Sequence, residues 1–393
     1  MDAAPPSRAH APAAPRLDSK LPRVGTTVFT VMSALAAECG AVNLGQGFPD
    51  FGCDARLTDA VAEAMRAGLN QYPPMAGVPA LRAAVADKIA RLYGHAYDAD
   101  AEVTITAGAT QSILTALLAV VRAGDEVIVI EPAYDSYVPG IVLAGGVPVF
   151  VRMTDDYRVA WDRVEAAVTP RTRAVLVNSP HNPSGMAFTP ADLRALEAIA
   201  CGHDLLVISD EVYEHMAFDG APHQSAARLP ELAARSFVVS SFGKTFHVTG
   251  WKIAYCAAPA ALSAEFRKVH QFNVFTVNTP MQHGLAAFMA DPQPYLGLPA
   301  FYQRKRDLFR DGLAGTRFRL LPCEGTYFQL ADYSAISDAP EAEFARWLTT
   351  EAGVAAIPLS AFHDTPIERR TVRFCFAKRD ETLHAALGRL ARL

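Results

Sequence analysis

Phe237-Val-Val-Ser-Ser-Phe-Gly-Lys-Thr-Phe-His-Val-Thr-Gly-Trp-Lys252 opens as a short apolar run and stops at a turn that carries Lys244. A run that is apolar throughout, rather than alternating, marks a strand covered on both faces. Four further strand-like runs lie upstream. Val103-Thr-Ile-Thr ends at Ala107-Gly-Ala-Thr, and Glu126-Val-Ile-Val-Ile ends at Glu131-Pro132. Ala174-Val-Leu-Val ends at Asn178-Ser-Pro, and Leu205-Leu-Val-Ile-Ser ends at Asp210-Glu211. Helical stretches such as Gln111 to Val121 separate them. Strands alternating with helices predict an α/β fold around a mostly parallel sheet.

Ligands of open α/β sheets sit outside the carboxyl ends of the strands. That rule gathers Gly108, Asn182, Asp210 and Lys244 as candidates for one site. After about residue 290 the pattern changes. Tyr302 to Leu313 and Glu341 to Glu351 read as helices, with strands at Thr326 to Leu330 and Thr371 to Phe376, which predicts a smaller α+β lobe. The expected organisation is a flexible leader at 1–20, an N-terminal arm at 21–55, a large domain at 56–288 and a small C-terminal domain at 289–393.

The bulk composition removes several function classes. A net charge of -5 gives no reason to expect nucleic acid or an anionic membrane as a partner. The Ala- and Pro-rich N-terminus lacks the apolar core of a secretory signal, and no stretch approaches the ~20 apolar residues of a membrane span. The six cysteines are scattered without a C-x-x-C pair, so no metal site is expected. Free thiols point to a reducing, cytoplasmic compartment. Of the 36 basic residues only seven are lysine, which makes each lysine worth inspecting.

Lys244 follows an apolar strand and is flanked by Phe242 and Phe246. Desolvation and a second cation, here Lys252, turn a lysine into a neutral nucleophile. An ordinary surface lysine is the competing reading. Gly243-Lys-Thr is similar to the end of a P-loop, but position 238 is Val, so the phosphate-loop pattern fails. Asp210 ends a strand and needs a cationic or hydrogen-bonding partner if buried; a pyridinium nitrogen is one, a local helix cap another. His181-Asn-Pro-Ser-Gly185 is a turn whose Asn182 can donate to a phenolate oxygen, as can Tyr213. Thr106 to Ser112 joins a strand to a helix through small residues, a form that accepts phosphate. Arg373 lies among Val372, Phe374 and Phe376, so an inward guanidinium requires an anion such as a substrate carboxylate; an internally paired arginine is the alternative.

The joint order of A-G-A-T, E-P-x-Y, H-N-P-S-G, S-D-E-V-Y, S-F-G-K-T with T-G-W-K, and R-F-C-F resembles the class I aminotransferases of pyridoxal-phosphate fold type I, over roughly Leu21 to Leu393. The resemblance implies pyridoxal 5'-phosphate bound to Lys244, which would also shuttle the substrate proton. It implies Asp210 on the pyridinium nitrogen, Asn182 and Tyr213 on the ring oxygen, and Tyr134 stacked on the ring. Gly108, Ala109, Thr110, Ser241 and Lys252 would hold the phosphate, and Arg373 with the backbone of Gly47 the substrate carboxylate. Tyr72 resembles the tyrosine that reaches the phosphate of a neighbouring subunit, so a homodimer with shared sites is implied.

Asn43-Leu-Gly-Gln-Gly-Phe-Pro-Asp-Phe51, Tyr72-Pro-Pro-Met-Ala-Gly77, Cys323-Glu-Gly-Thr-Tyr-Phe328 and Ala355-Ala-Ile-Pro-Leu-Ser360 are most similar to the kynurenine/methionine branch, and there to bacterial methionine aminotransferases. Phe272-Asn-Val-Phe-Thr-Val-Asn278 lacks the arginine that dicarboxylate-specific relatives carry nearby. With Phe29, Phe275 is expected to give an apolar pocket wall. An apolar pocket separates similar side chains by only ~1–3 kcal/mol, so Met, Phe, Tyr, His and kynurenine-like donors are all expected, with a 2-oxo acid as acceptor. A β-lyase acting on cysteine conjugates and a non-catalytic cofactor-sensing regulator are the alternatives.

Overall fold

The computed structural model describes residues 17–365 and 367–393. Most of the expected leader therefore lies outside the described residues; 17–19 carry no regular structure. The large sheet has seven strands: β1 Val103–Thr106, β2 Glu126–Glu131, β3 Val147–Arg152, β4 Thr172–Asn178, β5 Leu206–Asp210, β6 Ser236–Ser241 and β7 Ala254–Ala257. Their order is β1-β7-β6-β5-β4-β2-β3. All neighbours from β6 to β3 pair in parallel, and β7 runs antiparallel to both β6 and β1.

Burial explains the apolar runs. Val127 and Val129 of β2 pack into one hydrophobic cluster, while Ile128 and Ile130 of the same strand pack into another. Val175 and Val177 part from Leu176 in the same way. Successive side chains leave a strand on opposite faces, so a sheet covered twice needs apolar residues at every position. The edge strand β3 is only partly buried, and β7 reads Ala-Tyr-Cys-Ala. Pro148 interrupts the apolar run of β3 and argues against a strand, and the small residues of β7 form no such run.

The smaller lobe holds β8 Arg319–Leu320, β9 Phe328–Asp332, β10 Ile357–Pro358 and β11 Thr371–Cys375, in the antiparallel order β10-β11-β9-β8. Helices Leu298–Leu313 and Glu341–Thr350 accompany it. Val42–Asn43 pairs with Val354–Ala355, and the carbonyl of Leu44 accepts from the amide of Cys375 at 2.7 Å. These bonds carry the segment 44–48 across to the ends of the large-sheet strands. No described helix is long and apolar enough to cross a membrane.

Candidate active site

The parallel strands deliver their carboxyl ends to one rim, and a cavity of about 310 Å³ opens there. Thirteen of the fifteen residues singled out from the sequence line it: Phe29, Gly47, Gly108, Ala109, Thr110, Tyr134, Asn182, Asp210, Tyr213, Ser241, Lys244, Lys252 and Arg373. Tyr72 and Phe275 do not. They are exposed, at 80% and 44%, and meet edge-to-face at 5.3 Å on the surface.

Lys244 stands at the end of β6 in the one-turn helix Phe242–Thr245. Its Nζ donates to the carbonyl of Gly47 at 3.1 Å and to the hydroxyl of Tyr327 at 2.8 Å. Burial pulls the amine down to about 8; nearby Arg373 and Lys252 act in the same sense, against Cys375 and Asp210. An amine held near 8 is a competent nucleophile and base at neutral pH.

Asp210 ends β5 and is almost fully buried. Its carboxylate accepts from Tyr137 at 2.6 Å and from the amide of Val212 at 3.3 Å. Burial nonetheless pushes the carboxyl group up to about 6, and these bonds, with Lys244, only partly oppose it. A buried carboxylate in this condition lacks a close cation. A protonated ring nitrogen would satisfy it.

Arg373 projects from β11, paired opposite Leu330 of β9, and is 1% exposed. It donates to Oδ1 of Asn182 at 2.7 Å and to the carbonyl of Gly45 at 3.0 Å, and its Nε has no partner among the described residues. Its guanidinium lies 3.8 Å from the ring centroid of Phe328, with Phe362 and Phe29 at 4.9 and 5.3 Å. Burial lowers it to about 10, still charged at neutral pH. A buried guanidinium held by neutral acceptors between aromatic faces has the charge and geometry to accept a carboxylate.

The opposite wall gathers a helix N-terminus, a lysine and two hydroxyl groups. Gly108 caps helix Ala109–Val120 at φ 88° and ψ 158°, a conformation open essentially to glycine alone. A Cβ there would meet Nζ of Lys252 at 3.1 Å, so the missing side chain leaves room for a lysine against the helix N-terminus. Lys252 itself takes the left-handed conformation at φ 56°, which aims it back across the turn. Free amide groups at a helix start, a cation and the hydroxyl groups of Thr110 and Ser241 suit a dianion. Tyr134 lines the cavity between this wall and Tyr137, its hydroxyl raised to about 12 by burial.

Four participants escape sequence reasoning. Tyr137 and Asn178 hold Asp210, the latter by donating to its backbone carbonyl at 2.8 Å while accepting from the amide of Asn182. Tyr327 holds Lys244. Glu214 anchors the loop after β5: it accepts from Lys88, Tyr93, Ser240 and Tyr255 in the sheet's interior. Burial pushes Glu214 up, but the Lys88 charge overrides it and holds the carboxyl group well below the usual range. Among the described residues no cluster of His, Cys, Asp and Glu could hold a metal ion.

Known proteins match this architecture along nearly the whole chain. The family description Aminotransferase class I and II covers residues 40–390. A methionine aminotransferase of Escherichia coli is 52% identical over 95% of this chain and 98% of its own. Kynurenine–oxoglutarate transaminase 3 of Rattus norvegicus is 36% identical over 91% and 86%. Among solved structures, an Escherichia coli protein with a methionine aminotransferase function superimposes with a TM-score of 0.95 at 51% identity, covering 97% of this chain and all of that one. An aspartate aminotransferase of Thermus thermophilus reaches 0.88 at 31% identity, over 96% of this chain and all of that one. The chain belongs to the class I and II aminotransferases and has the fold type I architecture of these enzymes.

Proposed function

We propose that this aminotransferase uses pyridoxal 5'-phosphate to move the amino group of an apolar L-amino acid, methionine above all, to a 2-oxo acid. One observation carries the reading. A single cavity gathers an amine held near 8, a buried carboxyl group raised to about 6 for want of a cation, and a buried guanidinium without a carboxylate. When bound, the cofactor supplies an aldehyde that condenses with amines and a cationic ring that draws electron density from the substrate's Cα.

The residues present fit such a group. Lys244 would hold it covalently, then act on the Cα proton once the substrate amine has displaced it. Asp210 would face the ring nitrogen as an anion. Asn182 and Tyr213 would meet the ring oxygen, and Tyr134 the ring face. The start of helix Ala109–Val120, with Ser241 and Lys252, would hold the phosphate. Arg373 would fix the substrate carboxylate and so orient Cα toward Lys244.

Phe29, Ile113 and Phe328 give the cavity apolar walls. Its lysines and Arg373 already have roles, which leaves no cation for a side-chain carboxylate. That supports an apolar or thioether side chain, as does the similarity to a methionine aminotransferase. The exposed aromatic pair Tyr72 and Phe275, with Phe272 at 88% exposure, supports a homodimer in which each chain adds to its partner's site. Sedimentation as a single chain at working concentration would count against it. The six free cysteines support a reducing, cytoplasmic setting.

The test is a panel of L-amino acids added to the cofactor-loaded enzyme without acceptor, followed by the change in cofactor absorbance. L-methionine should convert the cofactor to its amino form and release one keto acid per site. Pyruvate and ammonia released continuously from a cysteine conjugate would favour the lyase instead, and no response to any amino acid would refute the reading.

A further inference from the structure

Lys244 is held by a second side chain. Its Nζ lies between the carbonyl of Gly47 and the hydroxyl of Tyr327, and that hydroxyl donates to the same Gly47 carbonyl at 2.6 Å. Since the Tyr327 proton is committed to Gly47, its oxygen is left as an acceptor for Lys244. Tyr327 has no solvent exposure, and its ring is wedged against Tyr213 at 5.2 Å, Phe328 at 4.8 Å and Tyr302 at 5.7 Å. The ring is therefore fixed, and its hydroxyl faces the Gly47 carbonyl, the Lys244 amine and the hydroxyl of Tyr213.

Gly47 is fixed with equal care. The buried ammonium of Lys378 donates to the carbonyls of Phe48 at 2.8 Å and Gln46 at 3.4 Å, and Arg373 takes the carbonyl of Gly45. Successive carbonyls of 45–48 thus serve three different cations. A Cβ on Gly47 would lie 2.9 Å from the Phe328 ring, so the loop is packed directly against the strand that follows Tyr327.

We infer that Tyr327 is a positioning residue: with the Gly47 carbonyl it forms a fixed berth that receives the Lys244 amine whenever that amine is not bonded to the cofactor. The berth does two things. It keeps the released amine on the cavity wall, in place to act on the substrate's Cα. It also stabilises the ammonium form against the burial that depresses it, because an acceptor favours the charged state. This rests on the proposed role of Lys244.

Tyr327→Phe removes the acceptor and leaves the ring. Tyr302→Phe is the control, since the Tyr302 hydroxyl is buried in the same aromatic cluster without a partner. Competitive acylation of the full-length, cofactor-free chain across a pH series, read at the Lys244 peptide by mass spectrometry, gives the titration of that amine. Tyr327→Phe should lower the midpoint by about one pH unit, and Tyr302→Phe should leave it in place. In the loaded enzyme Tyr327→Phe should lower kcat about tenfold, with KM within about twofold. A midpoint unchanged by Tyr327→Phe, or lowered equally by Tyr302→Phe, overturns the berth. If Lys244 in the unaltered chain acylates no more readily near pH 8 than the exposed lysines, the role of Lys244 itself fails, and the two failures are distinguishable.

Discussion

Asp210 carries a burial penalty as an anion that a cationic ligand would relieve. Its carboxyl group is raised from 3.8 to about 6 by burial, so the folded chain binds that proton more tightly than the unfolded one. The stabilising contribution is therefore full below about 4 and is lost as pH rises through about 6. At pH 8 the ionised group weakens the cofactor-free fold by something on the order of 3 kcal/mol. Asp210→Asn removes the charge and keeps the shape. The cofactor-free variant should melt a few degrees above the unaltered chain at pH 8, the gap should close toward pH 5, and its affinity for the cofactor should fall. Calorimetry at the two pH values checks this; a gap independent of pH contradicts it. The same burial logic decides which residues are legible in sequence. Lys244, Asp210 and Asn182 stand out because each is a polar residue at the end of an apolar strand or in the turn just after it. Tyr327 and Tyr137 do not, because a tyrosine within an apolar strand or helix has no local mark of what its hydroxyl meets.

The elements around the site were readable where burial is two-sided. β2, β4, β5 and β6 announce themselves as apolar runs and β1 as a strand-like Val-Thr-Ile-Thr, and the helix expected from Gln111 begins two residues earlier, at Ala109 within the Ala-Gly-Ala-Thr turn. β3 and β7 were not, the first because Pro148 within its apolar run argues against a strand and the second because Ala and Cys carry little β preference. The junction of β1 with its helix carries the most specific prediction at this scale. Gly108→Ala forces a side chain into a glycine-only conformation and against the amine of Lys252. The backbone strain should destabilise the chain by about 1–3 kcal/mol. Displacement of Lys252 should also weaken cofactor affinity at least about tenfold, measurable by equilibrium dialysis. Unchanged affinity would show that this turn does not hold the phosphate.

At the scale of the whole molecule, function comes from bringing distant segments to one rim. The 45–47 segment, Lys244, Tyr327 and Arg373 belong to four separate stretches, and the hydrogen bonds of Lys244 and Tyr327 to Gly47 and of Arg373 to Gly45 join the two lobes across the cavity. The sequence announces the two sheets through a change of pattern near residue 290, but not that segment 44–48 crosses between them, since that depends on pairing with Val354–Ala355 and Cys375 far along the chain. Nor could it show that Phe275, expected in the apolar pocket wall, stays outside its own chain's cavity. The central claim is that the amine of Lys244 does the chemistry in this cavity. The most direct measurement adds L-methionine to the cofactor-loaded unaltered chain and to Lys244→Ala, and follows the cofactor's absorbance against the keto acid formed. The account predicts conversion in the unaltered chain and a rate at least about a thousandfold lower in Lys244→Ala; comparable rates in the two would contradict it.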